Sequence, residues 1–354
     1  MSQLFSPIRL REVNIKNRIF MAPMCQYSAD DGMPNEWHRT HYGARAAGGV
    51  GLVMVEATAV CSEGRITPYD LGLWSVQQAE AFRPITNFIK KQGATPAIQI
   101  AHAGRKAGCA QPWKGGKSIS SQEGGWQPLA PSALAFSADS NMPKEMNQAD
   151  IDQVAGQFAD ATKRALTAGF EVVEIHMAHG YLLHEFLSPL TNHRSDAYGG
   201  SFENRARLPL RVAQAVQDLW PSDKPVMVRI SATDWVEGGW DLAGSIELVK
   251  QLKLIGIDHV DVSTGGLVPD AVMPVAPGFQ IPFAASLRKE TGMSVSTVGL
   301  ITDAKHAEDI LVAGQADAVS IGRELLRNPY WPLQAASSLG EDVSWPLQYL
   351  RAKI

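Results

Sequence analysis

Short runs of aliphatic and β-branched residues recur along this chain, and amphipathic segments separate them. Eight of these runs have the length of β-strands, whereas the segments between them have helical periodicity. Several helical segments end beside a glycine, which is common at helix C-termini. The strand runs cover residues 18–23, 51–59, 95–102, 170–176, 225–232, 259–264, 293–299 and 316–323. The helical segments cover residues 77–92, 148–168, 203–219, 243–254 and 302–313.

The alternation of strands with helices predicts an α/β fold. Repeated strand–helix units indicate parallel strands joined by right-handed crossovers. Eight units favour a closed (β/α)8 TIM barrel, with an open doubly wound sheet as the alternative. The chain has 354 residues, a length that such barrels reach as one domain. Because no linker-like segment or internal repeat divides the chain, we expect one barrel domain over residues 1–354.

Polar residues occupy one face of several predicted strands. In residues 226–231 (VMVRIS) the aliphatic side chains share one face, and Arg229 lies on the opposite face. Gln99 and His176 alternate with aliphatic neighbours in the same way. All three polar residues come near the C-terminal end of a strand, where barrel enzymes build their active sites. The pattern therefore predicts a functional site at that end of the barrel.

One segment departs from the alternation of strands and helices. Residues 109–147 are rich in glycine, proline and serine, and they carry Trp113 and Trp126. Connections this long are uncommon in compact domains, and they are often functional lids. We expect a long excursion after strand 3 that covers part of the barrel mouth.

Composition narrows the possible partners and the cellular location. Apolar residues make up 45% of the chain, which suits a large core, and the net charge is −4. An acidic chain argues against nucleic acid or an anionic membrane as partner, and no apolar run of about 18 residues predicts a membrane span. Three cysteines without a C-x-x-C pair and an N-terminus without a signal-peptide pattern favour the cytoplasm.

Residues 175–181 (IHMAHGY) carry the densest group of candidate catalytic side chains. His176 and His179 could donate hydrogen bonds to a carbonyl oxygen, and Tyr181 could protonate a carbon on which charge develops. Two alternatives stay open from these residues alone. The two histidines could be a structural pair, or they could bind a metal together with Glu174, as in a metal-dependent barrel hydrolase.

Two further residues could act on a bound redox ring. Cys25 follows the first strand, where a thiol could contact the ring and tune its potential, although free cysteines are often simply small buried apolar residues. Arg229 could stabilise negative charge on such a ring. Alternatively, Arg229 pairs with Glu174 or Asp261 inside the barrel.

Glycines at the ends of the last two strands indicate a phosphate site. Gly299 follows the seventh strand, and Gly322 with Arg323 ends the eighth. Barrel loops at these positions commonly bind phosphate through backbone N–H groups, although the glycines could also serve ordinary turns. No Gly-x-Gly-x-x-Gly fingerprint opens a helix after a strand, so a separate dinucleotide-binding domain is not expected.

On these residues the chain resembles the old yellow enzyme family of FMN-dependent barrel oxidoreductases. The resemblance is strongest to the thermophilic-like ene-reductases, which have a cysteine at the end of the first strand. It spans nearly the whole chain and includes several independent strings. They are residues 4–7 (LFSP), 17–19 (NRI), 22–27 (APMCQY), 99–106 (QIAHAGRK), 176–181 (HMAHGY), 188–207 and 322–323 (GR).

The resemblance implies FMN at the barrel mouth and NADPH or NADH as its reductant. It implies that an electron-poor alkene, such as an α,β-unsaturated carbonyl compound, binds through His176 and His179 and receives a proton from Tyr181. Cys25 would modulate the flavin, and Tyr27 would line the substrate pocket. The residues implied for the flavin ring are Pro23, Met24, Cys25, Ala57, Gln99 and Arg229, and those for its phosphate are Gly299, Gly322 and Arg323.

The resemblance also implies a homo-oligomer, either a dimer or a tetramer. In similar proteins an arginine or aromatic residue near the C-terminus enters the neighbouring subunit's site, and Arg351 is the candidate here. Quinones, nitro compounds and other xenobiotics carry a suitable acceptor group too, so the resemblance leaves the physiological oxidant open. A flavin-binding protein without catalytic activity remains the alternative, beside the metal-dependent hydrolase.

Overall fold

A computed structural model describes residues 2–354, and its centre is a closed barrel of eight parallel strands. Each strand pairs with the next along the chain, and the eighth pairs with the first through Val319 and Ile19. This closure confirms the predicted (β/α)8 TIM barrel and excludes the open sheet. The strands are Ile19–Met21, Leu52–Ala59, Thr95–Ala101, Val172–Met177, Val226–Ser231, His259–Ser263, Ser294–Thr297 and Ala318–Ile321.

An outer layer of helices follows the strands. Five of these helices lie outside the segments that the periodicity predicted, namely Glu36–Ala47 and Ile281–Thr291 together with three short helices of five to eight residues. The first escapes notice because its buried face includes His38, His41 and Arg45, so its inner side does not look apolar in the sequence. The remaining helices are Val76–Lys91, Gln148–Thr167, Leu182–Leu187, Phe202–Leu219, Leu242–Ile255, Ala304–Val312, Arg323–Arg327 and Trp331–Ser338.

Side-chain caps fix the starts of several outer helices. The side chains of Asn35, Ser75 and Asn147 each accept a hydrogen bond from a backbone N–H of the first turn, and each forms a reciprocal capping box. Asp241 caps the helix Leu242–Ile255 through the N–H of Gly244. Such caps contribute about 1 kcal/mol each and define where the helices begin.

The base of the barrel is filled by apolar side chains. An antiparallel hairpin, Ile8–Leu10 with Val13–Ile15, precedes the first strand. Its side chains pack against residues at the starts of the strands, including Phe20, Leu52 and Met227. Because polar residues follow on the same faces toward the strands' C-terminal ends, the open end of the barrel is the end where Gln99, His176 and Arg229 were predicted to lie.

The excursion after the third strand has more local structure than its composition indicates. It begins directly at the strand end, before the predicted boundary at residue 109. It contains three 3-10 turns, Gly104–Lys106, Pro112–Lys114 and Ser121–Glu123, and one short strand pair, Leu129–Ala130 with Lys144–Glu145. Part of it lines a cavity at the barrel mouth. Within residues 2–354, no helix has both the length and the apolar character needed to cross a bilayer.

Candidate active site

A layer of buried polar groups lies beneath the barrel mouth. Gln99 donates a hydrogen bond of 2.7 Å from Nε2 to Oε1 of Glu174. Arg229 Nε lies 3.0 Å from Oδ2 of Asp261, so of the two carboxylates suggested by the sequence, Asp261 is the ion-pair partner. Burial and the negative charge of Asp261 raise the pKa of Glu174. The layer therefore combines the guanidinium group of Arg229 with the carboxyl groups of Glu174 and Asp261.

His176 is a buried imidazole whose tautomer is fixed by the backbone. Its Nδ1 accepts a hydrogen bond of 3.2 Å from the backbone N–H of Ala178. Burial, followed by the charge of Arg229, lowers the pKa of His176 well below its usual value, so the ring is neutral. A neutral ring whose Nδ1 accepts a hydrogen bond carries its proton on Nε2.

His179 and Tyr181 stand beside this imidazole. The ring centroids of His176 and His179 are 5.2 Å apart, and that of Tyr181 is 5.0 Å from His176, both edge to face. His179 Nε2 lies 2.7 Å from the hydroxyl oxygen of Ser263. Burial and the charge of Arg229 also lower the pKa of His179. The structure thus gathers two neutral imidazoles and one phenol, as the sequence predicted.

The backbone that carries these side chains has an uncommon conformation. His179 has a φ of 58° and Gly180 a φ of 68°. This is the left-handed region, which is energetically unfavourable for any residue that has a side chain. The N–H of His179 donates to the hydroxyl of Ser231 at 2.9 Å. A Cβ on Gly180 would lie 2.3 Å from the carbonyl oxygen of Gly266, so only glycine fits.

A buried carboxyl group anchors the loop after the first strand. Glu56 accepts hydrogen bonds from the N–H of Gln26 at 2.7 Å and from the hydroxyl of Tyr42 at 2.8 Å. Burial raises the pKa of Glu56 to about 8. Desolvation, followed by the charges of nearby carboxylates, raises the pKa of Cys25 well above its usual value. Cys25 therefore stays a neutral thiol near neutral pH.

Two cavities open at the mouth. One, of about 300 Å³, is lined by Tyr27, Lys106, Cys109 and Tyr181 among others, a size that suits a small molecule. The other, of about 220 Å³, is lined by the residues predicted to hold phosphate, Gly299, Gly322 and Arg323, together with Arg229.

The remaining predicted residues are divided between the mouth and the periphery. Ala57 lines a small cavity together with Tyr181. Pro23 and Met24 lie in the loop after the first strand, and a Cβ on Gly322 would be 3.7 Å from Met24 Sδ. Arg351 lies on the exposed turn Leu347–Ala352, away from both mouth cavities.

Residues 3–342 match the NADH:flavin oxidoreductase / NADH oxidase family. The chain belongs to this family. The flavin oxidoreductase is 47% identical over 352 residues to an NADPH dehydrogenase of Geobacillus sp. (strain WCH70), a match that covers 99% of this chain and 98% of the relative.

Solved structures agree with this assignment. The old yellow enzyme homologue from Zymomonas mobilis is 30% identical, with a TM-score of 0.79 over 98% of this chain and 95% of that one. Morphinone reductase in complex with tetrahydroNAD is 29% identical, with a TM-score of 0.79 over 97% and 92% of the two chains. The resemblance to the old yellow enzyme family is therefore confirmed, with FMN as cofactor and NADPH or NADH as reductant.

The cavity beside the last two strands fits an FMN phosphate. Gly299 has a φ of 134°, and a Cβ there would lie 3.2 Å from both Gln280 Nε2 and the Phe279 ring. A residue with a side chain would therefore narrow the cavity, whereas glycine leaves its backbone accessible. Arg323 adds a guanidinium group, which binds phosphate oxygens as a fork. These groups match the dianionic end of the cofactor.

The metal-hydrolase alternative lacks a ligand set. A catalytic zinc needs three protein ligands. Within residues 2–354, no three histidine, cysteine or carboxylate side chains are arranged to hold one ion. Glu174, the third ligand proposed from the sequence, is instead bonded to Gln99.

Three residues at the mouth were not among those predicted from the sequence. Ser263 ends the sixth strand and contacts His179, Glu56 anchors the Cys25 loop, and Lys106 reaches into the larger cavity. Lys106 stands in the string of residues 99–106 that carried the family resemblance. That string was the one signal that could have identified Lys106. Neither periodicity nor motif spacing distinguishes Ser263 or Glu56.

Proposed function

We propose that this flavin oxidoreductase reduces the activated C=C bond of α,β-unsaturated carbonyl compounds and related electron-poor alkenes, and that it also accepts quinones and nitro compounds. The observation that carries the proposal is the N–H donor of neutral His176 beside His179 and the phenol of Tyr181. The chemistry supplied by FMN when bound is hydride transfer, from NADPH or NADH to the flavin and then to the alkene's β-carbon.

The two histidines bind the oxygen of the activating group. Hydride addition to the β-carbon moves negative charge onto that oxygen, as in an enolate. A fixed N–H donor in a site shielded from water stabilises such charge more than bulk solvent does. His176 has this donor on Nε2, and His179 is held in place through Ser263.

Tyr181 donates the proton to the α-carbon. Desolvation raises the pKa of Tyr181 well above its usual value. The phenol therefore stays protonated until negative charge develops on the α-carbon, which then accepts the proton. Tyr181, which is half-buried, lines the same cavity as Tyr27, and we propose Tyr27 as a wall of the alkene pocket.

Other residues of the mouth hold and tune the cofactor. We assign the ring to Pro23, Met24, Cys25, Ala57, Gln99 and Arg229, and the phosphate to Gly299, Gly322 and Arg323. The buried guanidinium of Arg229 would stabilise negative charge on the ring. Cys25 would act as a neutral thiol at the ring, since its pKa is raised.

The proposal includes self-association and a cytoplasmic location. Leu347 is 80% exposed and Leu350 is 49% exposed on the turn that carries Arg351. Apolar side chains left in water favour contact with another surface, which supports a dimer or tetramer in which Arg351 approaches a neighbouring site. Three free cysteines support a reducing compartment.

A two-step anaerobic experiment tests the proposal. The holoenzyme is first bleached with NADPH and then mixed with 2-cyclohexen-1-one while the flavin absorbance is followed. We expect rapid reoxidation and stoichiometric cyclohexanone. A flavin that stays reduced with the enone, or reoxidises only with a quinone, would contradict alkene reduction.

A further inference from the structure

Lys106 joins three loops at the barrel mouth. It ends the turn Gly104–Lys106 that follows the third strand. Its Nζ donates to the carbonyl oxygen of His179 at 2.8 Å and to that of Gly266 at 2.6 Å. These carbonyls belong to the loops after the fourth and sixth strands. One half-buried side chain therefore connects the loop of His179 and Tyr181 to two other parts of the mouth.

The same ammonium group lies over aromatic rings. Lys106 Nζ is 5.3 Å from the ring centroid of Tyr181 and 4.5 Å from that of Phe136. A cation over an aromatic face is attracted to its π electrons. Once a phenol loses its proton, the same cation also attracts the full negative charge of the phenolate. Lys106 is thus placed to favour the deprotonated state of Tyr181.

The loop that Lys106 binds is one that needs support. His179 and Gly180 are consecutive residues in the left-handed region, and Gly266 opposite them has a φ of 85°. Strained backbone of this kind persists only when its surroundings hold it. Hydrogen bonds from a charged donor are stronger than those between neutral groups, so the ammonium of Lys106 suits this task.

Lys106 keeps most of its positive charge at neutral pH although it is buried. Burial lowers the pKa of Lys106 to about 8; the nearby carboxyl of Glu185 opposes the decrease, and the positive charge of Arg105 adds to it. Glu185 in turn accepts a hydrogen bond of 2.9 Å from the N–H of Arg105, whose side chain donates to the carbonyl of Leu267 at 2.7 Å. The ammonium therefore remains largely charged at neutral pH.

We propose that Lys106 is a positioning residue for proton donation: it holds the loop of His179 and Tyr181 and sets a positive charge against the Tyr181 ring. The inference rests on the proposed function, in which the proton of Tyr181 goes to the α-carbon while hydride adds to the β-carbon. The phenolate left behind is then reprotonated from solvent. Lys106 lowers the cost of that transient anion.

Three substitutions separate the charge from the hydrogen bonds. Lys106→Arg keeps both, Lys106→Gln keeps donors without charge, and Lys106→Met removes both. We expect the Gln and Met variants to slow flavin reoxidation by 2-cyclohexen-1-one about 10- to 100-fold, with Arg retaining most of the rate. Flavin reduction by NADPH should change less than about threefold, because no proton from Tyr181 is needed there.

A quinone acceptor and a second lysine provide controls. Reduction of 1,4-benzoquinone places both protons on oxygen, so its rate in the Lys106 variants should stay within about threefold of the wild type. Lys114 lies on the same excursion, with Nζ 5.6 Å from the Tyr69 ring, but its side chain is exposed. Lys114→Met should leave both half-reactions unchanged.

A double substitution decides whether Lys106 acts through Tyr181. In a Tyr181→Phe background, Lys106→Gln should slow alkene reoxidation by less than about twofold further. Additive losses, equal slowing with quinone and alkene, or a Gln variant as fast as Arg would each overturn the inference. If the Met variant loses flavin, the Gln and Arg pair still gives the comparison. Absence of cyclohexanone with the wild type would instead refute the proposed function itself.

Discussion

At the scale of single residues, the proposed catalysis depends on which ring nitrogens and hydroxyl groups carry protons. The Ala178 N–H fixes the tautomer of His176, so this ring is a donor without needing a positive charge. The hydroxyl oxygen of Ser263 lies 2.7 Å from His179 Nε2 and 3.2 Å from Gln280 Oε1. The sequence supplied the histidines and the tyrosine. It could not supply Ser263, because its strand is remote in the chain and serine has no distinctive spacing.

We predict that Tyr181→Phe blocks proton donation while leaving hydride entry intact. Alkene reduction should slow by roughly 10²- to 10⁴-fold, the usual contribution of a general acid. Flavin reduction by NADPH should be nearly unchanged. Stopped-flow measurements of the two half-reactions check this, and equal slowing of both would rule out the proton-donor role.

We predict that His176→Ala abolishes binding of phenol-type ligands but keeps the flavin. Such ligands mimic the substrate oxygen, and the variant lacks the Nε2 donor that would hold it. Titration with p-hydroxybenzaldehyde, read from the long-wavelength charge-transfer band, measures the effect. An unaltered dissociation constant would refute the assignment.

We predict that Cys25→Ser shifts the flavin midpoint potential. The thiol is neutral, so exchanging it for a smaller and stronger hydrogen-bonding hydroxyl changes the polarity at the ring. Anaerobic spectroelectrochemistry compares the variant with the wild type. The same potential in both proteins would favour a purely packing role for Cys25.

At the scale of elements, the strands were predictable and their loops were not. Aliphatic alternation located all eight strands, and it identified Gln99, His176 and Arg229 as inward-facing near the strand ends. The helix Glu36–Ala47 escaped because it buries charged and imidazole side chains. The role of Lys106 was not predicted, because a side chain that bridges two loops does not alter the hydrophobic periodicity of the sequence.

The loop after the fourth strand gives a stability prediction. Gly180→Ala should cost roughly 1–3 kcal/mol, because the residue keeps a left-handed φ and meets the Gly266 carbonyl. Gly93→Ala is the matched control, with a φ of 69° and nothing within 4 Å of the added Cβ. Thermal unfolding of both variants measures the difference. Equal decreases in Tm would show that the close contact with Gly266 has no effect.

At the scale of the whole molecule, the C-terminal turn connects the proposed assembly to activity. Arg351 lines neither mouth cavity of its own barrel, so we expect any part in substrate binding to need a second subunit. We predict that Arg351→Ala raises the KM for the alkene while flavin content is unchanged. Sedimentation establishes the oligomeric state. An Arg351→Ala variant with unaltered steady-state kinetics would show that Arg351 takes no part in substrate binding.

The hairpin Ile8–Leu10 with Val13–Ile15 seals the far end of the barrel with apolar side chains. A sealed floor leaves one entrance for everything that reaches the flavin. We therefore expect the nicotinamide and the electron acceptor to occupy the same space at different times. Initial-rate plots against either substrate should therefore give parallel lines, the signature of a ping-pong sequence, and a large excess of one substrate should inhibit by excluding the other.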